Sequence, residues 1–257
     1  MNGLNNKVCI QDKCVVSNRK IDCEKNKVWK AKEVVDSILK LTSNFIEIGI
    51  KKGDIVAVQA PNSDYQVIVY FAVVAIGAVY TGCMHNAPPN ELMKIIKETN
   101  PSYLILSEDR LEAYKLVRFE HKSVKKVFLV DMMNHSSELL SIPKLINDMK
   151  SVDEIHLKDV ISVVNGDDVL QIVFSSGSTG LPKPILLSNR NLTADFETTG
   201  KHYNMINNED TVALYFPLYH TIGSAILSFC FYAAAKCCIF IDDTNEKIYE
   251  MCHKYKV

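Results

Sequence analysis

The chain has 257 residues, enough for one large domain or two small ones and for a core that needs no disulfide staples. Hydrophobic residues make up 47% and charged residues 23%, a globular balance that excludes a disordered chain. The net charge is −1 with no basic block, so the sequence lacks the electrostatic footprint of a nucleic-acid binder.

Residues Met1 to Ile10 contain no cationic segment followed by an apolar one, so no secretory signal is expected. An intracellular, reducing compartment follows as the expectation. The eight cysteines, at positions 9, 14, 23, 83, 230, 237, 238 and 252, form no C-x-x-C pair and read as small buried hydrophobes. Two apolar runs reach the length of a membrane span. Val67–Met84 has no charge, and Leu218–Ala235 contains only His220. Gly77 splits the first run into a helix-like half and a β-rich half, and Gly223 cuts the second. No Lys/Arg cluster brackets either run, so both are expected as buried helix-plus-strand pairs, with no transmembrane segment.

In chain order, residues 1–29 are polar and weakly patterned. From Ala31, Val34, Val35, Ile38, Leu39, Thr42, Phe45 and Ile46 repeat at helical spacing, and Gly49 supplies a stop. Ile55–Val58 reads as a strand, and Asn62-Ser63-Asp64 offers caps for the helix that enters the first apolar run. A strand at Ala78–Thr81 leads to an Asn86–Asn90 loop, a helix over Glu91–Thr99 and a strand at Tyr103–Leu106. Leu111–Phe119 reads as helix, Lys126–Val130 as strand, and residues 131–166 as a connecting stretch. Strands follow at Val169–Phe174 and Ile185–Leu187, then a helix from Ser188 to about Asn204 and a strand at Val212–Phe216. The second apolar run is a helix, Cys238–Ile241 a strand, and the chain stops in or just after an amphipathic helix. Strands alternating with helices predict an α/β fold: a βαβ-rich, mainly parallel sheet and part of a second sheet.

The chemistry is concentrated in Phe174-Ser-Ser-Gly-Ser-Thr-Gly-Leu-Pro-Lys183. Glycines let backbone N–H groups approach an anion, hydroxyls donate to its oxygens, and a lysine adds a point charge. Such a set suits the polyphosphate of a nucleotide; the bland alternative is a polar surface loop with Lys183 in water. A Walker loop needs G-x-x-x-x-G-K-[ST] opening a helix. Here Gly177 and Gly180 are three apart, Lys183 follows a proline, and the next element is strand-like, so that reading fails.

The same stretch, Ser175 to Lys183, resembles the signature loop of the adenylate-forming, or AMP-binding, superfamily of acyl-CoA synthetases, 4-coumarate–CoA ligases and luciferases. Its flanks agree: Asp167-Asp168 before, Leu187-Ser-Asn-Arg-Asn-Leu192 after. Phe216-Pro-Leu-Tyr-His-Thr-Ile-Gly223 resembles the family's P-L-F-H-x-x-G motif, and Ala60-Pro-Asn-Ser63 its "PNS" stretch. The resemblance spans residues 28–257, with 54–205 as a first sheet subdomain and 28–50 with 206–257 as an incomplete second one.

It implies ATP, with Mg2+, as the activating nucleotide, a small-molecule carboxylic acid (fatty or aromatic) as substrate, and coenzyme A as acyl acceptor. It also implies that Ser175, Ser176, Gly177, Ser178, Thr179, Gly180 and Lys183 hold the β- and γ-phosphates. His220 would lie near the acyl-adenylate and count with Lys183 as catalytic, although a histidine read alone is more often a satisfied core residue. The resemblance implies an intracellular location, cytoplasmic or peroxisomal.

Two departures stand out. Pro184 replaces the glycine that the family carries after its lysine, which removes one N–H donor. The family's Y-G-x-T-E segment, its later aspartate and lysine, and its C-terminal lid domain are not among these residues. The expectation is a fragment of an ATP-dependent ligase, inactive alone, with an unpaired sheet edge that promotes self-association. The alternative is a complete, non-catalytic nucleotide-binding or interaction protein derived from that family.

Overall fold

The computed structural model describes residues 20–22, 27–117, 122–136, 138–175, 183–198, 206–240 and 245–257. Its larger sheet has seven strands, in the order β7 (Leu139–Ser141), β6 (Lys126–Leu129), β5 (Tyr103–Leu106), β3 (Ile55–Gln59), β4 (Val79–Gly82), β8 (Val169–Ser175) and β9 (Lys183–Ser188). Every neighbouring pair is parallel except β8 and β9, which form an antiparallel hairpin at one edge. The expected α/β fold with a mainly parallel sheet is what forms.

The smaller sheet has four strands, in the order β10 (Thr211–Leu214), β11 (Lys236–Ile239), β1 (Lys20–Asp22) and β2 (Lys27–Trp29). Strands β1 and β2 fall in the N-terminal region that the sequence leaves without structure. Both are three residues long, and β1 takes its place from parallel pairing with β11 rather than from a pattern of its own.

Helix α1 (Ala31–Ile48) buries Val34, Ile38, Leu41 and Phe45 along one face and ends at Gly49, whose φ of 100° only glycine adopts freely. It packs on α2 (Asp64–Ala75) and α5 (Ile142–Asp148), over the larger sheet. Phe45 meets Phe128 of β6 edge-on, with ring centroids 5.3 Å apart. Both rings are fully buried, and each such side chain contributes about 2–3 kcal/mol.

The first apolar run resolves into α2, a turn at Gly77 (φ 77°) and β4. The second resolves into α8 (Thr221–Tyr232) and β11. Among the described residues, no helix is long and apolar enough to cross a membrane. Cys83, Cys230, Cys237 and Cys238 are buried, as expected of small hydrophobes, and burial with the nearby Glu91 carboxylate pushes the Cys83 thiol up to about 12. Cysteines 9, 14 and 23 lie outside the described residues.

Residues 131–166, read from sequence as a connector, contain β7, α5 and α6 (Glu154–Ser162). Their signals are local caps rather than long periodicity: Ser141 accepts from the Lys144 N–H, and Asp153 from the N–H groups of Ile155 and His156. The helix expected from Ser188 begins as α7 (Asn189–Asp195), capped by the Ser188 hydroxyl.

Candidate functional site

The glycine-rich segment connects the two strands of the β8–β9 hairpin. Ser175 ends β8, Lys183 begins β9, and the two are directly paired across the ladder. The Ser175 hydroxyl donates to the Lys183 carbonyl at 3.4 Å. Of the predicted phosphate-binding residues, Ser175 and Lys183 are described, whereas Ser176, Gly177, Ser178, Thr179 and Gly180 lie outside the described residues. Lys183 is exposed, so its ammonium is open to a ligand.

The flanking sequences fasten the opposite end of the hairpin. Arg190 donates through Nε and Nη2 to Asp167 Oδ1, at 3.2 and 2.9 Å. The Asn189 N–H donates to the Asp168 carbonyl, and its amide to the Asn165 carbonyl. Lys52, from the turn before β3, sits 2.7 Å from Asp168 Oδ2. Burial raises the Asp168 carboxyl, but the Asn165 N–H and the Lys52 ammonium outweigh it and hold the group below the usual carboxylate range. Pro184 stands opposite Phe174 on the exposed edge strand, a place in a sheet where proline is tolerated.

His220 caps the N-terminus of α8. Its Nδ1 accepts from the Ile222 N–H at 3.3 Å, which places the ring proton on Nε2. The imidazole is exposed, not a buried core group. The segment leading to it is tightly confined. A Cβ on Gly82 would lie 2.4 Å from Tyr219 Cβ and 2.6 Å from its Cα. A Cβ on Gly223 would lie 2.1 Å from the Pro217 carbonyl oxygen. Both glycines therefore serve close backbone approach. Below them, the Gln171 amide of β8 donates to Ser224 of α8 at 3.1 Å, and the Tyr70 hydroxyl donates to Gln171 at 3.5 Å.

Strand register brings the two pieces together. Thr81 of β4 pairs with Ile172 of β8, so Gly82 is level with Val173. Tyr219, packed against Gly82, thus sits at the carboxyl ends of β4 and β8, about 7 Å along the strand from the level of Ser175, and His220 follows it in the chain. Side chains alternate along a strand, so Gln171, Val173 and Ser175 share a face, and Lys183 opposite Ser175 shares it too. That is the face on which Gln171 meets α8. The carboxyl edge of a parallel sheet is the usual place for a ligand in such folds. Among the described residues, no group of three or more His, Cys, Asp or Glu gathers that could hold a metal.

One site element escaped sequence reading. Asn62 of the "PNS" stretch reaches across to the His220 segment, and nothing in a single Asn-Ser dipeptide signals that beyond a helix cap.

The family described as AMP-binding enzyme matches residues 11–257. Peroxisomal OPC-8:0-CoA ligase 1 of Arabidopsis thaliana is 29% identical over 199 residues, covering 77% of this chain and 34% of its own length. 4-Coumarate–CoA ligase 1 of Petroselinum crispum is 25% identical over 222 residues, covering 85% of this chain and 39% of its own. The chain thus spans little more than a third of the length of these relatives. Among solved structures, the luciferase-like enzyme of the mealworm Zophobas morio superposes with a TM-score of 0.82 at 22% identity, covering 93% of this chain and 54% of that one. The family match over residues 11–257, with CoA ligases among the relatives, places the chain in the AMP-binding enzyme family, among acyl-CoA ligase-like members.

Proposed function

We propose that these residues form the polyphosphate-gripping part of an acyl-CoA ligase that activates a carboxylic acid with ATP. The observation that supports it is the placement of the paired Ser175 and Lys183, and of the Tyr219–Gly82 approach, at the carboxyl ends of β4 and β8.

In this reading ATP supplies the α-phosphorus that a substrate carboxylate attacks, with pyrophosphate leaving; the coenzyme A thiol then forms a thioester at the acyl carbon as AMP leaves. The Lys183 ammonium neutralises charge on the β- and γ-phosphates. Ser175, with Ser176, Gly177, Ser178, Thr179 and Gly180 of the following sequence, adds hydroxyl and N–H donors. His220 presents its Nε2–H to an oxygen of the acyl-adenylate, since its Nδ1 is engaged by the helix start. Mg2+ is expected to accompany the nucleotide, and no residue here is assigned to it. Pro184 has no N–H to offer directly after Lys183, so Pro184→Gly should bind ATP more tightly.

The acid is a fatty or aromatic one, and the location cytoplasmic or peroxisomal. These 257 residues alone are expected to bind nucleotide without turnover, because they span so little of the relatives' length. Melting the chain with ATP and with a non-hydrolysable alkyl-adenylate tests the reading. Each ligand at ten times its Kd should stabilise the chain by about 1.4 kcal/mol. Carboxylate-dependent ATP–pyrophosphate exchange should be absent. No stabilisation by either ligand would overturn the site, and robust exchange would overturn the expectation that the chain alone does not turn over.

A further inference from the structure

We infer that Asn62 is a positioning residue for His220, holding the Phe216–Gly223 segment at the site. The inference rests on the proposed site, but its geometry stands independently.

Asn62 is 8% exposed, and its amide makes two hydrogen bonds to one short stretch of backbone. Its Nδ2 donates to the Phe216 carbonyl at 3.0 Å, and its Oδ1 accepts from the Leu218 N–H at 3.0 Å. Between those two groups lies Pro217, which has no N–H. A neighbouring strand could not ladder across this stretch, and the planar amide of asparagine replaces the missing strand with one donor and one acceptor.

The chain is anchored on both sides of this contact. Ser63 caps α2 by accepting from the Gln66 N–H at 3.1 Å, which fixes the backbone that carries Asn62. On the other side, the His220 N–H donates to the Pro217 carbonyl at 3.0 Å, and Gly223 lets that carbonyl lie against the first turn of α8. Displacing Phe216 and Leu218 therefore displaces the carbonyl that sets the His220 backbone. No other common side chain supplies both bonds. Aspartate at neutral pH only accepts, serine offers one atom, and glutamine is a carbon longer.

The test is nuclear magnetic resonance of the 257-residue chain and its Asn62→Ala variant. The native His220 imidazole should show the nitrogen shifts of an unprotonated, hydrogen-bonded Nδ1. In the variant those shifts should move toward the tautomer average of a free imidazole, and Leu218 amide protection should fall about tenfold. Lys183 and Leu187 amides in the hairpin should keep their protection, which separates positioning from general loss of stability. Affinity for a non-hydrolysable alkyl-adenylate should drop about tenfold, while that for ATP changes less than twofold.

Unchanged His220 shifts, or an equal loss of protection in both regions, would overturn the inference. Should Asn62→Ala not fold, Asn62→Asp keeps the acceptor and the volume and must still show displaced His220 shifts at neutral pH; native shifts there overturn it as well. If the native chain binds neither ligand, the site reading fails while the resonance result still decides the role of Asn62.

Discussion

The two walls of the candidate site are built by opposite means. The His220 segment is held by buried, uncharged contacts: the Asn62 amide, the Gln171–Ser224 pair, and backbone pressed against Gly82 and Gly223. The β8–β9 hairpin is held by charged groups at the end away from its tip, where Arg190 and Asp167 are 59% and 83% exposed. Along β9, Ile185 is 45% exposed and Leu186 61%. The first wall is preorganised by the core. The second extends from an edge strand and offers its charge to solvent. Stability and ligand affinity should therefore separate between the two walls.

Substitution at Gly82 should break that contrast most severely. Gly82→Ala drives a methyl into Tyr219 backbone, with no flexible side chain to yield, and should cost about 3 kcal/mol in a denaturant melt. Ser224→Ala comes next. It strips the hydroxyl from the fully buried Gln171 amide, and a loss of about 1–3 kcal/mol is expected in the same measurement.

The hairpin base should respond more weakly and through pH. Asp168 is held below its ordinary pKa, so its contribution to stability is complete above the unfolded carboxylate pKa near ~3.9 and fades as pH falls through the depressed folded value. Lys52→Met should lower stability at neutral pH by up to about 1 kcal/mol and leave it unchanged at the acid end, where Asp168 is protonated with or without its partner, so the acid limb of a stability–pH profile flattens. Arg190→Ala should do least, with a loss of about 0.5 kcal/mol or less that vanishes in high salt. A large effect at Arg190 would mean that the hairpin is held as rigidly as its partner.

Much of this fold is legible in the sequence because its elements carry their own signals. Helix α1 shows its apolar stripe and its glycine stop, and β3 and β5 are short apolar runs between turns. Strands β1 and β7 are not legible, because three residues at a sheet position owe their conformation to β11 and β6. The site divides in the same way. In the proposed site, the glycine–hydroxyl–lysine string stands out through its composition and His220 through its motif. The contact of Asn62 with residues more than 150 positions away is set by tertiary packing alone and leaves no local trace.

In the proposed site the hairpin and the His220 segment bind one nucleotide, and Lys183 supplies charge and little stability. Calorimetric titration of ATP into the chain and into Lys183→Ala is the decisive measurement. Saturable binding is expected, weakening at least tenfold in the variant, by about 1.5 kcal/mol, with the ligand-free melting curve unchanged. Equal affinities, or no saturable binding by the native chain, would contradict it.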